Sequence, residues 1–172
     1  IRLINWATVW QLIGGLQSPL FANPLGKVLR TDWLNSVWRH AEFIRGHRSG
    51  HSSANNHLIG ELAGLYVAGA TWPFWEEAKQ WRRIAREGLE EARHAIDQAR
   101  CLVGGQRALA QYARKDGTSQ RCYAITRDIE GVLTFIENGL ADSDVVVMVS
   151  GDPGYYSLLD ALRRRFSVSS LQ

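Results

Sequence analysis

The sequence predicts a mixed fold, an all-α N-terminal half followed by a small α/β unit built on a roughly three-stranded parallel sheet. Three observations carry this expectation. All seven tryptophans (Trp6, Trp10, Trp33, Trp38, Trp72, Trp75 and Trp81) fall in the first 81 residues, and four of the five histidines precede residue 60. Apolar residues recur at helical spacing up to about residue 99. From residue 101 short apolar runs alternate with amphipathic stretches, the pattern of βαβ units.

The elements follow in order. Leu58, Leu62, Leu65 and Gly69 mark the stripe of one helix. Glu61, Pro73 and several glycines within Leu58 to Trp75 indicate a buried helix and a turn, not a membrane span. Thr71 is expected to cap the next helix, with Pro73 in its first turn and Glu76-Glu77 near its positive end. That helix carries Ala78, Trp81, Ala85, Leu89, Ala92, Ile96 and Ala99 along one stripe. Cys101-Leu102-Val103 is a short apolar run closed by Gly104-Gly105. Gln106 to Ala113 reads as a helix and Arg121 to Thr126 as a strand. Asp128 to Leu140 is amphipathic through Val132, Phe135, Ile136 and Leu140. Asp144 to Ser150, with Val145-Val146-Val147-Met148-Val149, is the strongest buried-strand signal, and Tyr155 to Arg165 reads as a closing helix. No internal repeat or low-complexity linker interrupts the chain. Two domains are expected, 1–90 and 91–172.

Composition excludes several classes. With 172 residues, 45% hydrophobic, 22% charged and a net charge of +3, the chain has the make-up of an ordinary globular protein. It has no basic run with interleaved aromatics, so neither a nucleic acid nor a membrane is an expected partner. Arg163-Arg164-Arg165 reads as a solvated helix end. Cys101 and Cys122 show neither metal-ligand spacing nor a disulfide framework, so no metal is expected, and Cys101 reads as a small core residue. The start Ile1-Arg2-Leu3 suggests a processed or truncated N-terminus, which leaves localisation open.

Two segments carry candidate chemistry. In Ser52-Ser53-Ala54-Asn55-Asn56-His57, a serine can cap a helix that begins near Asn55. His57 and Glu61 then lie one turn apart on one face, continued by Gly64 and Ala68, with Leu58, Leu62 and Leu65 opposite. Small residues on that face would leave room for a ligand. Removing a proton next to a carboxylate requires that carboxylate to be neutralised and the enolate stabilised, which an Asn amide and a His can do. The bland alternative is capping with a satisfied polar cluster. In the other segment, Gly151-Asp152-Pro153-Gly154 follows the apolar strand. A Gly-Asp turn at the carboxyl end of a parallel strand is where open α/β sheets bind ligands. The alternative there is a tight turn capped by Asp152.

The N-terminal segment resembles the α/α-toroid domain of the heparinase II/III-like and alginate lyase superfamily over residues 1–92. The resemblance rests on Ile4-Asn5-Trp6, on Trp33 with His40, and on Ser53-Ala-Asn-Asn-His-Leu-Ile-Gly-Glu-Leu-Ala-Gly-Leu65. It continues through Trp72-Pro73, Trp81 and Leu89-Glu90-Glu91-Ala92. It implies a partial toroid that acts on an acidic polysaccharide by β-elimination, with Asn56 neutralising the uronate carboxylate and His57 assisting in neutralisation or proton transfer. The family pattern then calls for a helix with an Asp-Gly, a Glu/Gln and a catalytic Tyr, and for a later β-sandwich that supplies another His. Asp116-Gly117, Gln120 and Tyr123 are only an echo, with Tyr123 in an expected strand.

Residues 88–166 resemble the first domain of tetrapyrrole methylases, in particular the precorrin-6Y or cobalt-precorrin C-methyltransferase branch. The matching blocks are Glu90-Glu91-Ala92-Arg93 with Ala95-Ile96, then Ala99 to Gln106, Arg127-Asp128-Ile129-Glu130, and Val146 to Tyr156. This resemblance implies S-adenosylmethionine beside Gly151, Asp152, Pro153 and Gly154. The family's Gly-rich opening loop does not precede Leu89, and its second domain is not present up to Gln172.

The two resemblances meet at Gly88-Leu89-Glu90-Glu91-Ala92, where one helix is expected to run from Pro73 to Ala99. The pattern points to a fusion of two incomplete enzyme fragments. Three functions follow: a uronate lyase fragment that is inactive as it stands, an S-adenosylmethionine-dependent methyltransferase fragment of corrin synthesis, or a catalytically silent folded protein. The first family acts in the periplasm or outside the cell and the second in the cytoplasm, so the two disagree about compartment. Self-association through the Trp-rich helices is a further expectation.

Overall fold

The computed structural model describes residues 1–49, 56–113, 119–149 and 158–166. Its helices and strands run α1 (Arg2–Leu12), α2 (Pro24–Gly46), α3 (Asn56–Thr71), α4 (Ala78–Gln98), β1 (Cys101–Gly104), α5 (Gln106–Tyr112), β2 (Arg121–Ala124), α6 (Ile129–Leu140), β3 (Val145–Met148) and α7 (Leu158–Arg165). Two 3-10 turns, Gly15–Gln17 and Pro19–Phe21, link α1 to α2. The class is the mixed one expected, N-terminal helices followed by a three-stranded parallel sheet with helices. The chain divides into two compact units, Ile1–Gly50 with Leu58–Leu89 and His51–His57 with Glu90–Gln172. No described helix is long and apolar enough to cross a membrane.

In the first unit, Gly14 stops α1 by adopting a left-handed φ of 92°, which a Cβ would disfavour. α2 starts at an Asn-Pro pair. The Asn23 side chain accepts from the Gly26 N–H at 2.8 Å, and Pro24 occupies the first helical position, where no N–H is needed. The core gathers Val37 and Ala41 of α2, Leu62 and Leu65 of α3, and Trp72 and Trp81, all fully buried. Trp10 lies 5.7–5.9 Å from Phe21, Trp33 and Trp72, so the aromatic residues of separate elements interlock. α3 and α4 approach closely at Gly88, where a Cβ would meet the Leu62 side chain at 2.7 Å.

Two expectations are corrected here. Thr71 closes α3 instead of capping α4, and α4 begins at Ala78, not at Pro73. Trp72 still donates its N–H to the Ala68 carbonyl, and burying its indole turns the chain before Pro73, which has no N–H with which to continue. The Glu77 carbonyl then accepts the first α4 bond, from the Trp81 N–H. From Ala78 the expected stripe is buried or half-buried through Ala99, and α4 passes unbroken through residues 88–92.

Glu42 ties α2 to α4. Its carboxylate accepts three hydrogen bonds from Arg45 at 2.8–3.1 Å and one from the Trp81 indole N–H at 2.8 Å. Arg45 is the main influence holding the Glu42 carboxyl below its usual range. Partial burial opposes that shift and the Trp81 bond supports it. A carboxyl whose folded pKa is depressed stabilises the fold above its unfolded pKa, and that stability drains away as the pH falls through the folded value. The first unit is therefore expected to lose stability on acidification below about pH 4.5, and Glu42→Gln should flatten the loss. Thermal midpoints followed by tryptophan fluorescence test this, and equal acid slopes in the two proteins would refute it.

In the second unit the strand order is β2-β1-β3, both pairings parallel, with Leu102 opposite both Cys122 and Val146. The central strand is β1, every residue of which is buried, including Cys101. The valine run of β3 is only half-buried along its length, because an edge strand has a neighbour on one side only. The run with the strongest hydrophobic signal is thus not the most buried strand. Asp128 caps α6 by accepting from the Gly131 N–H at 2.9 Å, and Val132 and Ile136 of α6 pack with Val103 in a second core. Arg163 and Arg164 are exposed as expected, whereas Arg165 pairs with Glu137 at 2.9 Å and Glu130 at 3.4 Å.

Candidate functional site

Asn56 and His57 form the first turn of α3, and His57 is exposed. The Asn56 side chain lies outside the described residues, as do Gly151, Asp152, Pro153 and Gly154. Glu61, one turn after His57, is committed to the backbone before the motif. Its two oxygens accept from the Ser49 N–H at 2.8 Å and the Ser49 hydroxyl at 2.7 Å. That pairing fixes the chain at the far side of the segment leading into Asn56, a positioning role.

The expectation that Gly64 and Ala68 leave ligand room is overturned. Both are buried, and Leu3 of α1 reaches within 3.8 Å of where a Gly64 Cβ would stand. The small residues admit α1, so the polar face of α3 is limited to its first turns. Near that same helix α1, Trp6 meets His40 edge-to-face at 4.8 Å. The His40 Nδ1 lies 2.9 Å from the Ser36 carbonyl, which can only accept, so Nδ1 carries the proton. Nε2 is then the acceptor for the Arg2 guanidinium at 2.8 Å. This sets one tautomer of His40 by hydrogen bonding.

Tyr123 does not stand in a helix beside the motif. It lies in β2, half-buried, with its ring 5.0 Å from Phe135. The Gln120 amide donates to the carbonyls of Ile96 and Ala99 at 3.2 and 2.9 Å and closes the end of α4. Cys122 is exposed, and desolvation, with a smaller contribution from Cys101, pushes its thiol up, away from reactive thiolate character. Among the described residues no group of three or more His, Cys, Asp or Glu is placed to hold a metal.

In the second unit all three strands point the same way, so their carboxyl ends, Gly104, Ala124 and Met148, share one edge of the sheet. The chain leaves β1 for β2 on one side and then crosses to β3 on the other. Its switch point lies between β1 and β3, where open α/β sheets place ligands. A Cβ on Gly104 would meet the Met148 side chain at 3.1 Å.

One open groove of about 740 Å³ lies in the first unit, on the face of α2 that presents Arg30, Leu34 and Trp38, together with Phe74 and Trp75. The sequence reading missed it. The available signal was the spacing of Arg30, Leu34 and Trp38 at four-residue intervals, which places an aromatic and a cation on one helix face.

Comparison with known proteins follows the same division. Residues 16–99 match the model for the heparinase II/III N-terminus, which carries that resemblance to the end of α4. The chain is 33% identical over 81 residues to the cobalt-precorrin-7 C(5)-methyltransferases of Salmonella typhimurium and Salmonella typhi. That stretch is 47% of this chain and 38% of each relative, so the chain spans well under half of either methyltransferase. No solved structure gives a significant match. The chain therefore combines a segment that resembles the heparinase II/III N-terminus with a segment that resembles a cobalt-precorrin methyltransferase.

Proposed function

We propose that the chain is a fusion in which the N-terminal unit descends from a uronate lyase and retains binding of acidic polysaccharide without completing β-elimination. The observation that carries this is the Asn56-His57 pair opening α3, inside a segment similar to the heparinase II/III N-terminus. In the ancestral reaction a base takes the proton at C5, and the C5–H electrons move toward the carboxylate. A double bond forms between C4 and C5 as the C4–O bond breaks and the leaving oxygen gains a proton. Asn56 would neutralise the carboxylate where charge builds up, and His57 would assist in neutralisation or proton transfer. Tyr123, the echo of the family's tyrosine partner, packs on Phe135 in the sheet. Incubation with alginate, polygalacturonate and heparin, read by the ultraviolet absorbance of the unsaturated product, is expected to stay at background. Product formation that disappears in His57→Ala would overturn the claim of inactivity.

A second reading is favoured by the parallel sheet and its switch point between β1 and β3: residual S-adenosylmethionine binding. Calorimetric titration with S-adenosylmethionine discriminates, and a silent titration removes this reading.

A further inference from the structure

We propose that the α2 groove is a saccharide subsite for an acidic sugar, separate from Asn56 and His57. The ligand class rests on the acidic-polysaccharide reading above, and the site rests on its own geometry. Trp38 and Phe74 expose 36% and 51% of their surface at the groove, unlike the buried Trp72 and Trp81 behind it. Trp75 is braced by Trp72, Phe74 and Trp81 at 6.2, 4.9 and 5.7 Å, so its ring is held in place before any ligand arrives. Arg30 is half-buried at the same groove, and neither it nor Asn35 has an ion pair or side-chain hydrogen bond among the described residues. Among the described residues no acidic side chain lines the groove.

This combination selects its occupant. A flat aromatic face suits the C–H face of a pyranose ring. An unpaired guanidinium offers paired N–H groups to a carboxylate, and an amide can exchange bonds with ring hydroxyls. A purely apolar partner would leave Arg30 desolvated without a counter-charge, so a uronate fits better than a hydrophobic peptide. The groove also lies apart from the lyase motif. His57 is in the first turn of α3 and Phe74 follows its end. At about 1.5 Å per residue the helix separates them by roughly 22 Å, so the groove would hold a distal sugar of a bound chain.

The test uses the full chain and hexasaccharides of galacturonate, mannuronate and desulfated heparin, with neutral cellohexaose as the uncharged control. Binding is read by tryptophan fluorescence and calorimetry. At least one acidic hexamer should bind, and Arg30→Gln should weaken it at least about tenfold while leaving cellohexaose unaffected. Trp38→Ala should weaken every ligand that binds, and Phe43→Ala, at an exposed ring elsewhere on α2, should weaken none. Circular dichroism checks that the variants are folded, and Arg30→Gln breaks no ion pair or side-chain hydrogen bond among the described residues. If no acidic hexamer binds the folded wild-type protein, or if Arg30→Gln and Trp38→Ala bind like wild type, the proposal is overturned. A Pro-rich peptide that competes more tightly than any sugar would likewise overturn it. Binding without unsaturated product sustains the subsite. Product formation without any effect of Arg30→Gln refutes the subsite and the claim of inactivity, and leaves the lyase ancestry standing.

Discussion

Trp81→Ala is expected to destabilise the N-terminal unit by about 3–5 kcal/mol, the cost of truncating a large buried aromatic whose cavity relaxes only in part. Trp81 is fully buried, its ring lies 5.7 Å from Trp75, and its N–H donates to Glu42 at 2.8 Å. The substitution removes packing and also takes a donor from a half-buried carboxylate. Trp81→Phe separates these effects, because it keeps most of the ring volume and loses only the N–H, so its cost should be clearly smaller. The readout is selective. Every tryptophan precedes residue 82, so indole fluorescence reports on this unit alone. A Trp81→Ala protein that melts at the wild-type midpoint would mean that the Trp81 core is not formed in solution.

Gly26→Ala should also be costly. A Cβ on Gly26 would strike the Leu20 carbonyl oxygen, with the Leu20 carbonyl carbon and the Phe21 Cα each 2.9 Å away. These are backbone atoms of a 3-10 turn pinned by Ser18, whose hydroxyl accepts from the Leu20 N–H, so they cannot yield as a side chain would. Overpacking of this kind costs roughly 1–3 kcal/mol, and the backbone identity of the obstacle places this case at the upper end. Gly46→Ala is the matched control on the same helix. Nothing lies within 4 Å of its added Cβ, so the change should be neutral or slightly stabilising through helix propensity. Equal midpoints for the two alanine variants would refute the close approach at Gly26.

The apolar surface left on the first unit was not legible in advance. Of the tryptophans in these helices, Trp10, Trp72 and Trp81 are buried in the core of the unit, while Trp38 is exposed. Leu25, Val28 and Leu29 of α2 are exposed at 79%, 57% and 49%, and the rings of Trp38, Phe43 and Phe74 are exposed too. Composition records that indoles are present. It does not record whether they face one another.

Local chemistry determined much of this protein from the sequence. The switch from helical spacing to alternating runs determined the mixed class. The α4 stripe from Ala78 to Ala99, the amphipathic stretch Asp128 to Leu140, and a helix beginning near Asn55 followed from spacing and capping rules whose partners lie within a few residues. Tertiary structure decided what depends on distant neighbours. Gly64 and Ala68 looked like ligand room until Leu3 filled it, and Glu61 shared the polar face with His57 until Ser49, twelve residues earlier, occupied both its oxygens. Thr71 is expected to cap the next helix, but with Trp72 buried it closes α3 instead. The valine run carries the strongest buried-strand signal, but only strand order reveals that Cys101–Gly104 is the central, fully buried strand. In each case the deciding atom comes from another element, and sequence spacing carries no information about which element will arrive.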